Sequence, residues 1–352
     1  MKIYEYIFAA VVMVAILIAA IFLTGISPQL YRSTSEIEQL KMAAQKIMAQ
    51  ILLSPGDPED WGKNIAIKAT NLSSLGLAVS TVFTREAFVL DPDKVQRLNQ
   101  KLPGNLYISP ERFSELLGLG SRDLGLNYGV KIDFIPALKA TVYFNGDSKI
   151  IVNVASEQGA PLASANVTLG AFYVMNNSKI IFCNKTESAD LYGNCTIELN
   201  YPNPSFLVVV VNYHGLQTMN ATNINSHIGY LIGNYLLVES GLKVVNMSVT
   251  QVFVISSNKG PKLMSVSCNI TGCQDITMGY EVYDMGYEEP NMVAVVALAE
   301  DGRLIAAYKD IPESYSSAAG EVYAPLIYML ERSVKIGLST YTLRLKVWRM
   351  EW

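Results

Sequence analysis

Glu281, Asp284, Glu288 and Glu289 place four carboxylates within one short, tyrosine-rich segment. Oxygen donors at such density are the chemistry that holds a hard cation such as Ca2+. Glu281, Asp284 and Glu288 are therefore the metal candidates, but the segment lacks the glycine-punctuated spacing of a dedicated calcium loop. A solvated acidic edge is the competing expectation. Asp57, Glu59 and Asp60 beside Trp61 form a second acidic group and read as a turn. Only two histidines occur, His214 and His227, in separate segments, which leaves little for His-based catalysis or metal binding. The nucleophile elbow, the HExxH zinc helix, the Walker A loop, the dinucleotide fingerprint and the EF-hand loop are all absent from the sequence. The sequence thus predicts no enzyme, no catalytic residue and no cofactor. A net charge of −4 also argues against a nucleic-acid partner, which calls for a basic footprint.

The remaining chemistry is that of an exterior surface. Eight N-x-S/T sequons start at Asn71, Asn166, Asn176, Asn184, Asn194, Asn220, Asn246 and Asn269. Roughly three would arise by chance at this composition, so N-glycans are expected partners. The four cysteines fall into two local couples, Cys183 with Cys195 and Cys268 with Cys273. Four cysteines allow three connectivities, and the local one is expected, with Cys183 and Cys195 meeting across a hairpin. Disulfides imply an oxidising, extracytoplasmic compartment.

These groups need an anchor. Ile7–Leu23 is a run of 17 residues without a polar side chain. With Tyr6 and the stretch to Ile26 it is long enough to span a bilayer core as a helix. A cleaved secretory signal is the rival, but the run is longer than a signal core and its basic flank is only Lys2. The expectation is one uncleaved transmembrane helix over residues 1–27, with the N-terminus cytoplasmic and the bulk extracellular. Pro28 is expected to interrupt that helix. Over 28–62 follows an amphipathic stalk in which Ile37, Leu40, Ala44, Ile47 and Ile51 recur at steps of three and four. That seam packs either on the protein's own body or on other helices.

A spanning half joined to an amphipathic half resembles the long first helix of type IV pilin-like proteins. Glu5, inside the start of the apolar region, matches the glutamate that in pilins meets a neighbouring subunit's terminal amine. Only Met1-Lys2-Ile3-Tyr4 precedes it, where prepilins carry a basic leader. The resemblance implies copies of itself or other pilin-like envelope proteins as partners, with Glu5 and the stalk seam as the assembly surface. ILLSPGDPEDWG at Ile51–Gly62, LDPDKVQRLNQKL at Leu90–Leu102, LLGLG at Leu116–Gly120 and YGVKIDFIPAL at Tyr128–Leu138 resemble archaeal single-pass surface proteins. That implies a cell-surface setting and no assigned chemistry.

The exterior divides by pattern into a small α+β unit (63–138), a β-sandwich (139–222) and a further β-rich C-terminal domain (223–352). Short alternating runs separated by Asn/Gly/Pro turns give the sandwich its strands. Val152–Leu169 resembles the opening of immunoglobulin-like or carboxypeptidase-regulatory-like modules. Asp91-Pro92 and Ser109-Pro110 read as helix starts, and Val322–Val334 reads as a helix. The fold class is mainly β behind an N-terminal transmembrane-plus-amphipathic helix. The expected role is display, adhesion or envelope assembly, with a membrane-tethered receptor for a sugar, peptide or ion as the alternative.

Overall fold

The computed structural model describes residues 2–80, 88–121, 126–144, 148–176, 179–251, 262–264, 279–286, 292–317, 324 and 326–350. The protein is mainly β, with one long helix at its start.

Helix α1 (Lys2–Leu53) runs 52 residues without a break. Pro28 does not interrupt it, contrary to expectation. Proline removes one backbone donor, a loss that a long helix absorbs as a local adjustment. The two halves meet different surroundings. From Phe8 to Ile21 every described side chain is exposed, including Phe8 at 72% and Met13 at 67%. From Leu40 onward one stripe is buried: Leu40, Ala44, Ile47, Met48, Ile51 and Leu52. The seam therefore packs on the protein's own body and is closed to other helices. Ile37 alone among its members is exposed, and the side chain of Glu5 lies outside the described residues.

The stripe lies on a six-stranded sheet. Its order is β1 (Val89–Leu90), β19 (Ile327–Ile336), β20 (Ser339–Arg349), β3 (Leu126–Pro136) and β18 (Ser314–Ser316), with β2 (Gly120–Ser121) also paired to β3. One core joins the helix stripe, Trp61, Leu90, Phe113, Ile132, Tyr315, Leu343 and Leu345. The α+β unit is thus completed by the far C-terminus, and the boundary expected near residue 138 does not isolate it. The expected helix at Val322–Val334 is strand β19. Leu326, Tyr328 and Leu330 face the core at period two, while Ile327 and Met329 face solvent. Pairing with β20 through the Gly337 turn overrides a helix-compatible composition.

Residues 138–223 form two facing sheets. One holds β4 (Leu138–Phe144), β5 (Lys149–Ser156) and β8 (Asn194–Glu198). The other runs β10 (Leu216–Asn223), β9 (Phe206–Tyr213), β6 (Asn166–Met175) and β7 (Lys179–Ser188). Val152, Val154 and Ile197 from the first pack on Val167, Leu169 and Val209 from the second. A seven-stranded sheet covers the outer face of the second. Its order is β14 (Lys262–Leu263), β13 (Val244–Gln251), β16 (Met292–Ala299), β17 (Leu304–Tyr308), β11 (Ser226–Ile232), β12 (Tyr235–Glu239) and β15 (Tyr280–Asp284). Phe172, Phe206 and Val208 meet Ala294, Val296 and Leu304 there. Burial on both faces explains why β6 and β9 read as continuous apolar runs.

Cys183 and Cys195 are free thiols, so the expected hairpin disulfide is not formed. Their strands β7 and β8 do not pair with each other; they belong to the two facing sheets. Cys268 and Cys273 lie outside the described residues.

Candidate functional site

The densest chemistry lies at the foot of α1. Ser54-Pro55-Gly56 ends the helix, and the chain turns back so closely that a Cβ on Gly76 would sit 2.2 Å from the Ser54 carbonyl oxygen. Only glycine fits there. Asp91 caps the short helix α2 (Pro92–Gln96), accepting from the Asp93 N–H at 2.9 Å, with Pro92 at its first position. Four of the five residues of α2 are buried, three of them polar: Asp93, Lys94 and Gln96. Arg97 follows, also fully buried.

Each buried group has partners, as burial demands. Lys94 Nζ donates to the carbonyls of Pro55 (2.8 Å) and Ala78 (3.0 Å). Arg97 donates to the carbonyls of Gly62 (3.1 Å), Ile67 (2.7 Å) and Asn64 (2.8 Å), and its guanidinium lies 5.7 Å from the centre of the Trp61 ring. Asp93 accepts from the Gly233 N–H (3.0 Å) and from Lys309 Nζ (2.7 Å). Gln96 donates to the Leu231 carbonyl at 2.8 Å. This hub ties the helix end, the 57–80 segment and the seven-stranded sheet to one five-residue helix.

Burial lowers the pKa of Lys94 and brings that of Arg97 down to about 10; nearby Asp91 and Asp60 oppose both shifts. Burial, then the charge of Asp93, pushes the Asp91 carboxyl up to about 6, against the pull of Lys94 and Lys309. A raised acid stabilises the fold fully below its unfolded pKa near 3.8 and loses that contribution as pH rises through about 6. Asp91→Asn keeps the cap and removes the titration. The variant is expected to gain on the order of 2 kcal/mol over wild type between pH 4 and pH 7. Melting temperatures across that range check it, and a gap independent of pH contradicts it.

Beside the hub opens a cleft of about 720 Å3, between β3 and β4 on one side and β10, the 308–314 segment and the β19–β20 turn on the other. Pro92 and Lys309 belong to both hub and cleft.

Of the acidic segment, the described residues Glu281 and Asp284 are not brought together as a site. Glu281 accepts from the Tyr283 hydroxyl, while Asp284 accepts from Asn234 Nδ2 and the Gly286 N–H, both at 2.8 Å. An odd spacing on a strand sends their side chains to opposite faces. Glu288 and Glu289 lie outside the described residues, and no metal-competent cluster occurs among those described. Asp57 and Glu59 bond Ser73 and Ser80, and Asp60 bonds Asn64, as turn chemistry. His214 sits in the β9–β10 turn, and His227 pairs with Asp301 at 2.9 Å. Among the sequon asparagines, Asn71, Asn166, Asn176 and Asn220 are exposed, and Asn184 and Asn194 are half-buried. The side chain of Asn246 and all of Asn269 lie outside the described residues.

Sequence reasoning found the caps Asp91 and Ser109 but missed Asp93, Lys94, Gln96 and Arg97. The available signal was that Val95 is the single apolar residue of α2, so this helix buries polar groups or nothing.

No known protein family matches the chain, and no curated protein matches it either.

Proposed function

We propose that the chain is a membrane-anchored surface protein, N-terminus cytoplasmic and body extracellular, acting in display, adhesion or pilin-like envelope assembly. One observation carries the reading: α1 exposes apolar side chains all round over Phe8–Ile21 and buries a single stripe over Leu40–Leu52. Leaving Phe8, Met13, Ile16 or Leu17 in water forfeits about 1.5–3 kcal/mol apiece, which a hydrocarbon environment recovers. Among the described residues no helix is long and apolar enough to cross a membrane; the described side chains of the run span only Phe8–Ile21, and the sequence continues it to Leu23. The partners proposed are the lipid bilayer, N-glycans on the exposed sequons and, as in pilin-like assemblies, copies of this chain meeting through the exposed half of α1.

The facing sheets of 138–223, ordered β4-β5-β8 and β10-β9-β6-β7, support an immunoglobulin-like reading of that unit. Such modules display or bind. Protease added to intact cells is expected to remove the body and spare a fragment ending near residue 30. A body untouched in intact cells and digested after lysis sinks the reading. A second reading, a membrane-tethered receptor, is favoured by the cleft at the meeting of four sheets, the kind of place where ligand sites concentrate.

A further inference from the structure

The receptor reading gains a ligand class from the charges around the cleft. Three carboxylates and three cations line it, so a charged ligand meets no net attraction. Four of the six already have partners. Asp133 lies 3.9 Å from Lys131 and 3.8 Å from Lys346. Asp310 accepts from Asn99 Nδ2 at 3.0 Å and faces Lys101 at 3.5 Å. Lys309 is held by Asp93, and Arg344 by Glu331 and Glu157. The remaining two, Lys139 and Glu313, are exposed and opposite in sign.

Hydrogen-bonding capacity without charge is left over. Tyr308 and Tyr341 line the cleft, and among the described residues neither hydroxyl has a hydrogen-bond partner. Burial, then Asp310, raises both phenols, that of Tyr341 to about 12, so both keep the proton they can donate. Tyr308 is fixed against Phe206 with ring centres 6.1 Å apart. Met219, Ile311 and Leu338 supply apolar wall between these polar points. A cleft of no net charge, with hydroxyl donors and apolar wall, suits a ligand that has hydroxyls on its edges and C–H groups on its faces. Its volume lies within the roughly 300–1,000 Å3 of ligand pockets.

We propose that this cleft binds a neutral saccharide, held by the hydroxyls of Tyr308 and Tyr341. The proposal rests on the receptor reading and not on the membrane topology, so solution binding and the protease experiment fail independently.

The full chain, produced without N-glycosylation so that Asn220 on the cleft wall is bare, is solubilised in an amine-oxide detergent that carries no sugar. Calorimetric titration uses maltotetraose, cellotetraose and chitotetraose, with tetraalanine as the peptide control. At least one tetrasaccharide is expected to bind and tetraalanine is not. The double variant Tyr308→Phe, Tyr341→Phe is expected to weaken that binding about tenfold, the worth of two neutral hydrogen bonds. Hydrogen exchange on the wild type gives a readout independent of the variant's stability: the sugar is expected to slow exchange at 308–311 and 336–341. No binding by any tetrasaccharide, equal binding of tetraalanine, undiminished binding by the double variant, or protection confined to other segments overturns the proposal.

Discussion

Deleting residues 2–34 is expected to leave the body folded, whereas deleting 2–53 unfolds its six-stranded sheet. The difference lies in what the second half of α1 buries. Leu40, Ile47, Met48, Ile51 and Leu52 are at most 4% exposed, all within the core of that sheet. At about 1.5–3 kcal/mol each, their gross contribution is roughly 8–15 kcal/mol, as large as the whole net stability of an ordinary domain. The longer deletion also removes the Ile51 carbonyl that accepts the Leu77 N–H at 3.0 Å. The shorter one removes no described side chain that is buried and leaves Glu36, with its Arg349 contact at 4.0 Å, in place. Among the described residues the sandwich core draws nothing from α1, so strands β4–β10 are expected to keep their hydrogen-exchange protection in both deletions. The decisive comparison is the urea midpoint read from buried tryptophans Trp61 and Trp348. An unchanged midpoint in the longer deletion refutes the assignment of α1 as part of the core.

That result bears on what the sequence made legible. Periodicity in the stalk identified Leu40, Ala44, Ile47 and Ile51 as one face, because a helix buries what recurs every three or four residues whatever covers it. The same pattern is silent on the covering partner, which comes from β19 and β20 nearly three hundred residues away. The sandwich strands were legible because turn residues punctuate them at short intervals. Strand β19 was not, since Tyr328, Leu330 and Val334 satisfy helical and alternating spacing about equally, and only pairing with β20 decides. The hub was least legible. A DKVQR segment on a surface helix and one in a buried junction are the same five letters, and the difference is which carbonyls arrive from elsewhere. The cleft likewise exists only where four sheets meet, so its two tyrosines were indistinguishable in sequence from the other eighteen.

Arg97→Met is the point change expected to cost most, about 3–5 kcal/mol. The methionine fills much of the volume against Trp61 but donates nothing to the carbonyls of Gly62, Asn64 and Ile67. Each buried acceptor left without a donor forfeits about 1–3 kcal/mol unless water reaches it. The change also strips Asp93 and Asp91 of a cation that offsets their buried charge. Arg97→Lys separates the two effects. It keeps the charge, but a single ammonium cannot span three carbonyls on separate residues, so it is expected to recover less than half of the loss. Trypsin gives a local readout, because Lys63 and Lys68 border the loop that Arg97 holds. Cleavage there is expected to accelerate in the methionine variant while strands of the sandwich stay protected. A methionine variant within about 1 kcal/mol of wild type, with trypsin resistance intact, means that water or neighbouring donors already serve those carbonyls and that the helix foot does not depend on this clamp.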